Sequence, residues 1–87
     1  MKYKFPTCPA CGFLTLDDVN DSDYGSYNIC NVCGWEDDKL QLEDPEMKGG
    51  ANEESLLKAQ RIAIKKYPLN IQKTNGFKRD PDWEQLI

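Results

Sequence analysis

Four cysteines in two CxxC pairs constrain this chain more than any other feature. The stretches TCPACGFLTL (residues 7–16) and ICNVCGWEDD (residues 29–38) both read as CxxCG followed by an aromatic residue. The cysteines are Cys8, Cys11, Cys30 and Cys33. The separation between the two pairs, residues 12–29, lies inside the range of about 15 to 20 residues that is typical of paired CxxC zinc sites.

This spacing predicts a single Zn²⁺ bound by all four cysteines. Zn²⁺ takes four thiolates tetrahedrally, and a two-residue spacer lets one tight turn, a cysteine knuckle, present both sulfurs of a pair. Gly12 and Gly34 follow the second cysteine of each pair, where positive φ lets backbone N–H groups point at sulfur. Because four thiolates leave no open coordination position, the predicted role of the ion is structural.

Three other readings use the same cysteines. Two disulfides are possible by number, although the expected reducing compartment disfavours them. A thioredoxin-like redox pair requires one CxxC at a helix start, whereas here two equivalent pairs lie in turns. Iron also accepts four thiolates, and CPACG is similar to a rubredoxin knuckle, so an electron-transfer protein remains an alternative.

The length of 87 residues indicates one domain, residues 1–87, with a core that a metal ion would have to reinforce. We expect no membrane-spanning segment, because no apolar run approaches about 20 residues. The start MKYKFPTC lacks the apolar stretch of a secretory signal. A soluble, cytoplasmic protein is therefore expected.

The predicted fold is a small α+β domain of the zinc-ribbon type. Residues 1–38 form two cysteine knuckles joined by a β-hairpin, with strands in FLTL and SYNI. Residues 39–54 are a connector in which Leu40 and Leu42 alternate as in a third strand. Residues 55–67 form an amphipathic helix packed on the hairpin, and residues 68–87 form a tail that ends in a short helical turn.

Capping and turn signals define the second half of the chain. Asn52 or Ser55 can cap the helix, and Pro68 stops it. An Asn-Gly turn signal follows at residues 75–76. In the final turn, Trp83, Leu86 and Ile87 are expected to face the core.

Charge is distributed unevenly along the chain. Residues 1–54 hold four lysines and twelve acidic residues, whereas residues 55–87 hold seven basic and three acidic residues. The acidic half carries the cysteines, and it would repel nucleic-acid phosphates. Nucleic acid is therefore disfavoured as a partner, and a basic protein is favoured.

The residues after the second knuckle provide a candidate partner surface: Trp35, Glu36, Asp37 and Asp38. The tryptophan is expected to pack beside the knuckle, and the three acids form either a site for a basic partner or a solvated turn. An immunity-type or antitoxin-type binder is one specific form of this hypothesis. An enzyme that uses these carboxylates is a further alternative, although the sequence offers no histidine, nucleophile or phosphate loop beside them.

These motifs together resemble the CPCC family of small bacterial cysteine-rich proteins. CPACGFLTL (residues 8–16) is similar to the family's CPCCGYLTL, and CNVCGWEDD (residues 30–38) is similar to its CPVCxWEDD. QLEDPEMKGGANEESLLKAQ (residues 41–60) is similar to QLxDPxxxGGANxxSLxEA. The resemblance spans most of residues 8–60 and implies a zinc-ribbon-like domain more firmly than any activity.

Two positions depart from the family pattern. Ala10 replaces the family's extra cysteine and leaves a simple CxxC pair. Lys58 replaces a glutamate and so removes a capping box with Ser55. The resemblance also implies that residues 36–38 and 49–52 share one surface, because both stretches belong to the family signature.

Overall fold

The computed structural model describes residues 3–17 and 23–86, which form a small α+β fold. Its elements are helix α1 (Lys39–Glu43), helix α2 (Leu56–Lys66) and strands β1 (Lys73–Thr74) and β2 (Phe77–Lys78). The two strands form one antiparallel sheet. In these described residues, neither helix is long and apolar enough to cross a bilayer.

Two separate loops, residues 7–14 and 29–36, hold the cysteine pairs. One isolated antiparallel bridge closes each loop, between Thr7 and Leu14 in the first and between Ile29 and Glu36 in the second. We call them knuckle 1 and knuckle 2. The two loops thus share one local architecture, as their sequence repeat predicts.

The predicted hairpin between residues 13–16 and 26–29 is wrong for the part of the chain that the structure describes. Phe13 instead forms a bridge with Arg79, and the N–H of Leu14 donates to the carbonyl of Lys78 at 2.8 Å. Knuckle 1 therefore pairs with the C-terminal tail. The alternating apolar pattern identified extended residues, but it carried no information about their partners.

Helix α1 replaces the third strand that Leu40 and Leu42 suggested. Asp38 caps this helix, because its Oδ1 accepts the N–H groups of Leu40 at 2.8 Å and Gln41 at 3.4 Å. Leu42 is buried, whereas Leu40 is 62% exposed. A one-turn helix with a single buried leucine gives the same short sequence pattern as a strand.

Helix α2 confirms the predicted helix over residues 55–67 to within one residue at each end. Ser55 is the N-cap, and its Oγ accepts the N–H of Lys58 at 3.2 Å. Leu56, Gln60 and Ala63 form the buried face. The helix ends at Lys66, and Tyr67 is its C-cap immediately before Pro68.

The tail folds back onto knuckle 1. Asn75 and Gly76 both have positive φ, 50° and 84°, as a two-residue hairpin turn between β1 and β2 requires. The end of the tail is a single turn, closed by the N–H of Trp83 donating to the carbonyl of Asp80 at 3.1 Å. Trp83 is buried as expected. Leu86 packs against the core, and Ile87 lies outside the described residues.

Candidate metal centre

The structure brings the four cysteine sulfurs into one cluster. All four Sγ atoms lie within 4.8 Å of one another. Two distances between the knuckles are 3.7 Å, from Cys8 to Cys33 and from Cys11 to Cys30. Four sulfurs bonded tetrahedrally to one ion at about 2.3 Å would be about 3.8 Å apart, whereas a disulfide bond is about 2.05 Å long. The cysteines are free thiols at the spacing of a metal tetrahedron.

The two knuckles hold their cysteines with the same backbone hydrogen bonds. In each loop, the N–H of the first cysteine donates to the carbonyl of the aromatic residue that follows the glycine, at 2.9 Å in knuckle 1 and 2.8 Å in knuckle 2. The glycine N–H donates back to the carbonyl of that cysteine, at 2.8 and 2.9 Å. Gly12 and Gly34 both have φ of 83°, which confirms the predicted positive φ.

Cys30 receives several hydrogen bonds at its sulfur. The hydroxyl of Thr15 donates to Cys30 Sγ at 2.9 Å, and the N–H groups of Val32 and Cys33 donate at 3.4 and 3.5 Å. Such bonds stabilise a thiolate and fix its orientation as a ligand. Hydrogen bonding from Cys11 is the largest cause that lowers the pKa of Cys30. The role of Thr15 has no signal in the sequence.

Burial makes this cluster a costly place for thiolates without a cation. Cys8, Cys11 and Cys30 are buried, and Cys33 is half-buried. Burial raises the pKa of Cys8, and hydrogen bonding to Cys30 raises the pKa of Cys11. A divalent cation would displace these protons and satisfy the sulfurs, so the donor set fits a thiolate-binding metal. Four cysteine ligands would form a closed coordination shell with no position for a substrate.

Arg79 is a buried cation beside this cluster, and the sequence analysis did not identify it. Only 5% of the residue is exposed. Its guanidinium donates to the backbone carbonyls of Cys11, Tyr67, Pro68 and Ile71 at distances of 2.7–3.2 Å. Burial lowers the pKa of Arg79, and the charge of Cys11 opposes that shift. The positive charge therefore lies on the backbone of Cys11, beside the cysteine cluster, and ties knuckle 1 to the chain that follows α2.

The aromatic residues after the knuckles are buried as predicted, but the acidic stretch that follows is not a solvated surface. Phe13 is fully buried, and Trp35 is 4% exposed. Asp37 and Asp38 are 1% and 4% exposed, and Glu36 alone is half-buried. The predicted partner surface at Trp35, Glu36, Asp37 and Asp38 therefore needs correction, because three of these residues face the interior.

Asp37 and Asp38 are buried because backbone donors surround them. Asp37 Oδ2 accepts the N–H groups of Gly25 and Ser26, both at 3.0 Å, and the Ser26 hydroxyl at 2.7 Å. Asp38 caps α1 through Oδ1 and accepts the N–H of Ala51 through Oδ2 at 2.9 Å. Buried carboxylates are tolerated when such bonds satisfy them. The bonds satisfy Asp37 Oδ2, whereas the buried Oδ1 of Asp37 has no hydrogen-bond partner among the described residues.

Gln41 and Asn52 organise the connector around these acids. Gln41 Nε2 donates to the carbonyls of Met47, Asn52 and Glu54, each at 3.1 Å. Asn52 uses its amide to accept the N–H of Glu36 and to donate to the Glu36 carbonyl, both at 2.8 Å. Residues 36–38 and 49–52 therefore lie against each other, in agreement with their pairing in the family signature.

A groove of about 450 Å³ lies beside knuckle 2. It is lined by knuckle 2 from Cys33 to Glu36, by residues 51–54, and by a stripe of α2 that continues to Tyr67. Of the three predicted acids, only Glu36 lines the groove. Cys33 is the one proposed metal ligand that lines it.

Comparison with known proteins identifies one family. A search of curated proteins finds no match. The model of the family described as cysteine-rich CPCC matches residues 6–83. The match includes both knuckles, the connector, α2 and the tail as far as Trp83, so it extends beyond the residues on which the sequence resemblance rested. The chain therefore belongs to the cysteine-rich CPCC family.

Proposed function

We propose that the chain is a non-catalytic zinc-binding module that recognises a protein partner. The observation that carries the proposal is the cluster of four sulfurs within 4.8 Å, with 3.7 Å between the knuckles. Zn²⁺ at Cys8, Cys11, Cys30 and Cys33 would satisfy this donor set and would have no open position for chemistry. The ion would brace the fold and leave recognition to the surface.

The small core supports a structural role for the ion. The described helices and strands are short, and α2 is the longest at 11 residues. Three of the four cysteines belong to the buried core cluster and Cys33 packs against it, so the ion would link the two knuckles inside the core. In domains of this size, metal binding supplies a large part of the folding free energy. Removal of zinc is therefore expected to unfold the protein.

Charge supports recognition of a basic partner. The chain has a formal net charge of −4 at pH 7, and a centre of four thiolates and one Zn²⁺ adds about −2. With Asp37 and Asp38 buried, the acids available to a partner near the metal are Glu36 and its neighbours at the groove. Positive potential on a partner would steer it to this side.

Metal analysis of purified full-length protein tests the zinc centre. Protein expressed with both zinc and iron available should contain one equivalent of zinc and show no visible absorption. A chelator should then abolish the far-ultraviolet circular dichroism of the folded state, and added zinc should restore it. A red protein with one equivalent of iron would instead support the rubredoxin-like alternative, since four thiolates also bind iron. Metal-free protein that stays folded would contradict the proposal.

A further inference from the structure

The groove beside knuckle 2 is lined on its α2 side mainly by apolar residues. The α2 wall is formed by residues at helical spacing, i, i+3, i+4, i+7 and i+8: Ala59, Ile62, Ala63, Lys66 and Tyr67. Ile62 is 52% exposed, so this wall offers apolar area that the fold leaves uncovered. The volume of the groove, about 450 Å³, is in the usual range for binding clefts, about 300–1,000 Å³.

Acidic residues line the groove outside α2, in knuckle 2 and in residues 51–54, and we call this part the acidic wall. Glu36, Glu53 and Glu54 line the groove, against one basic residue, Lys66. Glu54 forms an ion pair with Lys58 at 3.3 Å. Across residues 3–17 and 23–86, no salt bridge is found for the side chain of Glu36 or Glu53. Two carboxylates are therefore available for a cationic group, near the anionic metal ligands.

Hydrogen bonds hold the backbone of Glu36 in a fixed position on this wall. Both backbone hydrogen-bonding groups of Glu36 are held by the side chain of Asn52 at 2.8 Å. Gln41 in turn fixes Asn52, because Gln41 Oε1 accepts the Asn52 N–H at 3.0 Å and the Asn52 amide at 2.9 Å. A preorganised wall lowers the entropy cost of binding.

We infer that this groove binds an extended basic segment of a protein partner, with an apolar side chain against Ile62 and a lysine or arginine at Glu36 and Glu53. The inference rests on the proposed interaction function and centres the partner site on the groove, which includes Trp35 and Glu36 from the predicted stretch but not Asp37 or Asp38. An extended segment fits because its successive side chains point to opposite sides, toward the apolar α2 wall and toward the acidic wall. Charge complementarity selects this occupant over an acidic or neutral segment.

Cys33 gives the occupant a second, measurable effect. This half-buried cysteine lines the groove, whereas Cys8, Cys11 and Cys30 are buried. A chelator or an electrophile therefore reaches the metal ligands from the groove. A segment bound there would cover Cys33 and slow the loss of zinc.

A titration of the full-length, zinc-loaded protein tests the inference. The probe is a short acetylated and amidated peptide in which arginine and leucine alternate, and amide chemical shifts report binding. Saturable shifts are expected in knuckle 2, residues 51–54 and the groove side of α2. A matched peptide with glutamate in place of arginine should not bind. Zinc transfer to a chromogenic chelator should become slower when the basic peptide is present.

Charge-reversed variants supply the control. The double variant Glu36→Lys and Glu53→Lys should weaken peptide binding about tenfold at low salt. The variant Glu43→Lys and Asp82→Lys makes the same change in net charge on exposed residues outside the groove and should leave the affinity within about twofold of the original protein. Ile62→Ala should weaken binding of the basic peptide through loss of apolar contact.

The possible outcomes separate this inference from the proposed function. If zinc is bound and the protein is folded, but the peptide causes no saturable shifts, the groove inference is wrong and the zinc module stands. If both charge-reversed variants lost peptide affinity equally, binding would depend on net charge and not on the groove, and the inference would be overturned. Groove shifts that depend on protein concentration alone would assign the groove to a second copy of the chain, which also overturns it.

Discussion

The carbonyl oxygen of Cys11 accepts two hydrogen bonds from the guanidinium of Arg79, from Nε at 3.2 Å and from Nη2 at 3.1 Å. The same guanidinium packs over the ring of Phe13, with 4.3 Å between Cζ and the ring centroid. Its Nη1 and Nη2 groups also donate to the carbonyls of Tyr67, Pro68 and Ile71, in the chain that follows α2. One side chain of the tail therefore connects knuckle 1 with the chain that follows α2.

Replacement of Arg79 should destabilise the fold strongly, even by lysine. Lysine keeps the charge but lacks the planar fork that reaches four carbonyls at once. Arg79→Lys is expected to lower the free energy of unfolding by about 2–4 kcal/mol, because buried carbonyls lose their donors. Urea unfolding of the zinc-loaded protein measures this change. The exposed Arg61→Lys is the control, and equal stability of the two variants would show that the buried fork is unimportant.

Gly12 and Gly34 form a matched pair for testing knuckle packing. Both have φ of 83°, so alanine at either position should cost about 1–2 kcal/mol in backbone strain. A Cβ at Gly12 would also lie 2.6 Å from the Trp83 ring, whereas a Cβ at Gly34 would meet nothing within 4 Å. Gly12→Ala should therefore lower the free energy of unfolding by about 1–3 kcal/mol more than Gly34→Ala. Equal losses in denaturant unfolding would contradict the contact with Trp83.

Asp37→Asn tests whether the acidic stretch acts inside the fold. Three donors converge on Asp37 Oδ2, and hydrogen bonds to a charged acceptor contribute about 1.5–3 kcal/mol each. The variant should lower the free energy of unfolding by about 1–3 kcal/mol, whereas Glu36→Gln should change it by less than about 0.5 kcal/mol. Thermal unfolding with excess zinc compares them. If Asp37→Asn left the free energy of unfolding unchanged, the structural role of these hydrogen bonds would be contradicted.

The raised pKa of Tyr3 leads us to expect a loss of stability at alkaline pH. Burial raises the pKa of Tyr3, whose hydroxyl donates to the Glu84 carbonyl and accepts from Gln60 Nε2 at 2.9 Å. Unfolded tyrosine ionises near pH 10, so the folded state binds the proton more tightly. The contribution of Tyr3 is therefore complete below about pH 10 and falls as pH rises toward the folded pKa.

The Tyr3→Phe variant isolates this contribution. It should be less stable than the original protein by about 1 kcal/mol near pH 8, because both hydrogen bonds are lost. The difference in stability between the two proteins should shrink above about pH 10, because ionisation of Tyr3 destabilises only the original protein. Urea unfolding at both pH values measures it. A stability difference that stays constant across this range would contradict the raised pKa.

Local features of the fold could be predicted from the sequence. The CxxC spacing identified the four sulfurs that the structure brings together, and the glycine positions identified the positive φ of both knuckles. The bounds of α2 followed from Ser55 and Pro68. These features depend on residues that are neighbours along the chain, so a sequence pattern carries them.

Features that depend on distant residues could not be predicted. Asp37 is buried because donors at Gly25 and Ser26 reach it, and Asp38 is buried partly because of Ala51. The sequence between these residues has no pattern that predicts these hydrogen bonds. A run of acids ordinarily indicates a solvated turn. Arg79 was missed for the same reason, since its carbonyl acceptors are set by the path of the backbone.

The central claim is that one ion is bound by four cysteine sulfurs and by nothing else. X-ray absorption at the zinc edge of the purified, full-length protein tests this claim most directly. The predicted result is a single shell of four sulfur atoms at about 2.3 Å. A shell that includes nitrogen or oxygen ligands, fewer than four sulfurs, or a sulfur–sulfur bond between cysteines would contradict it.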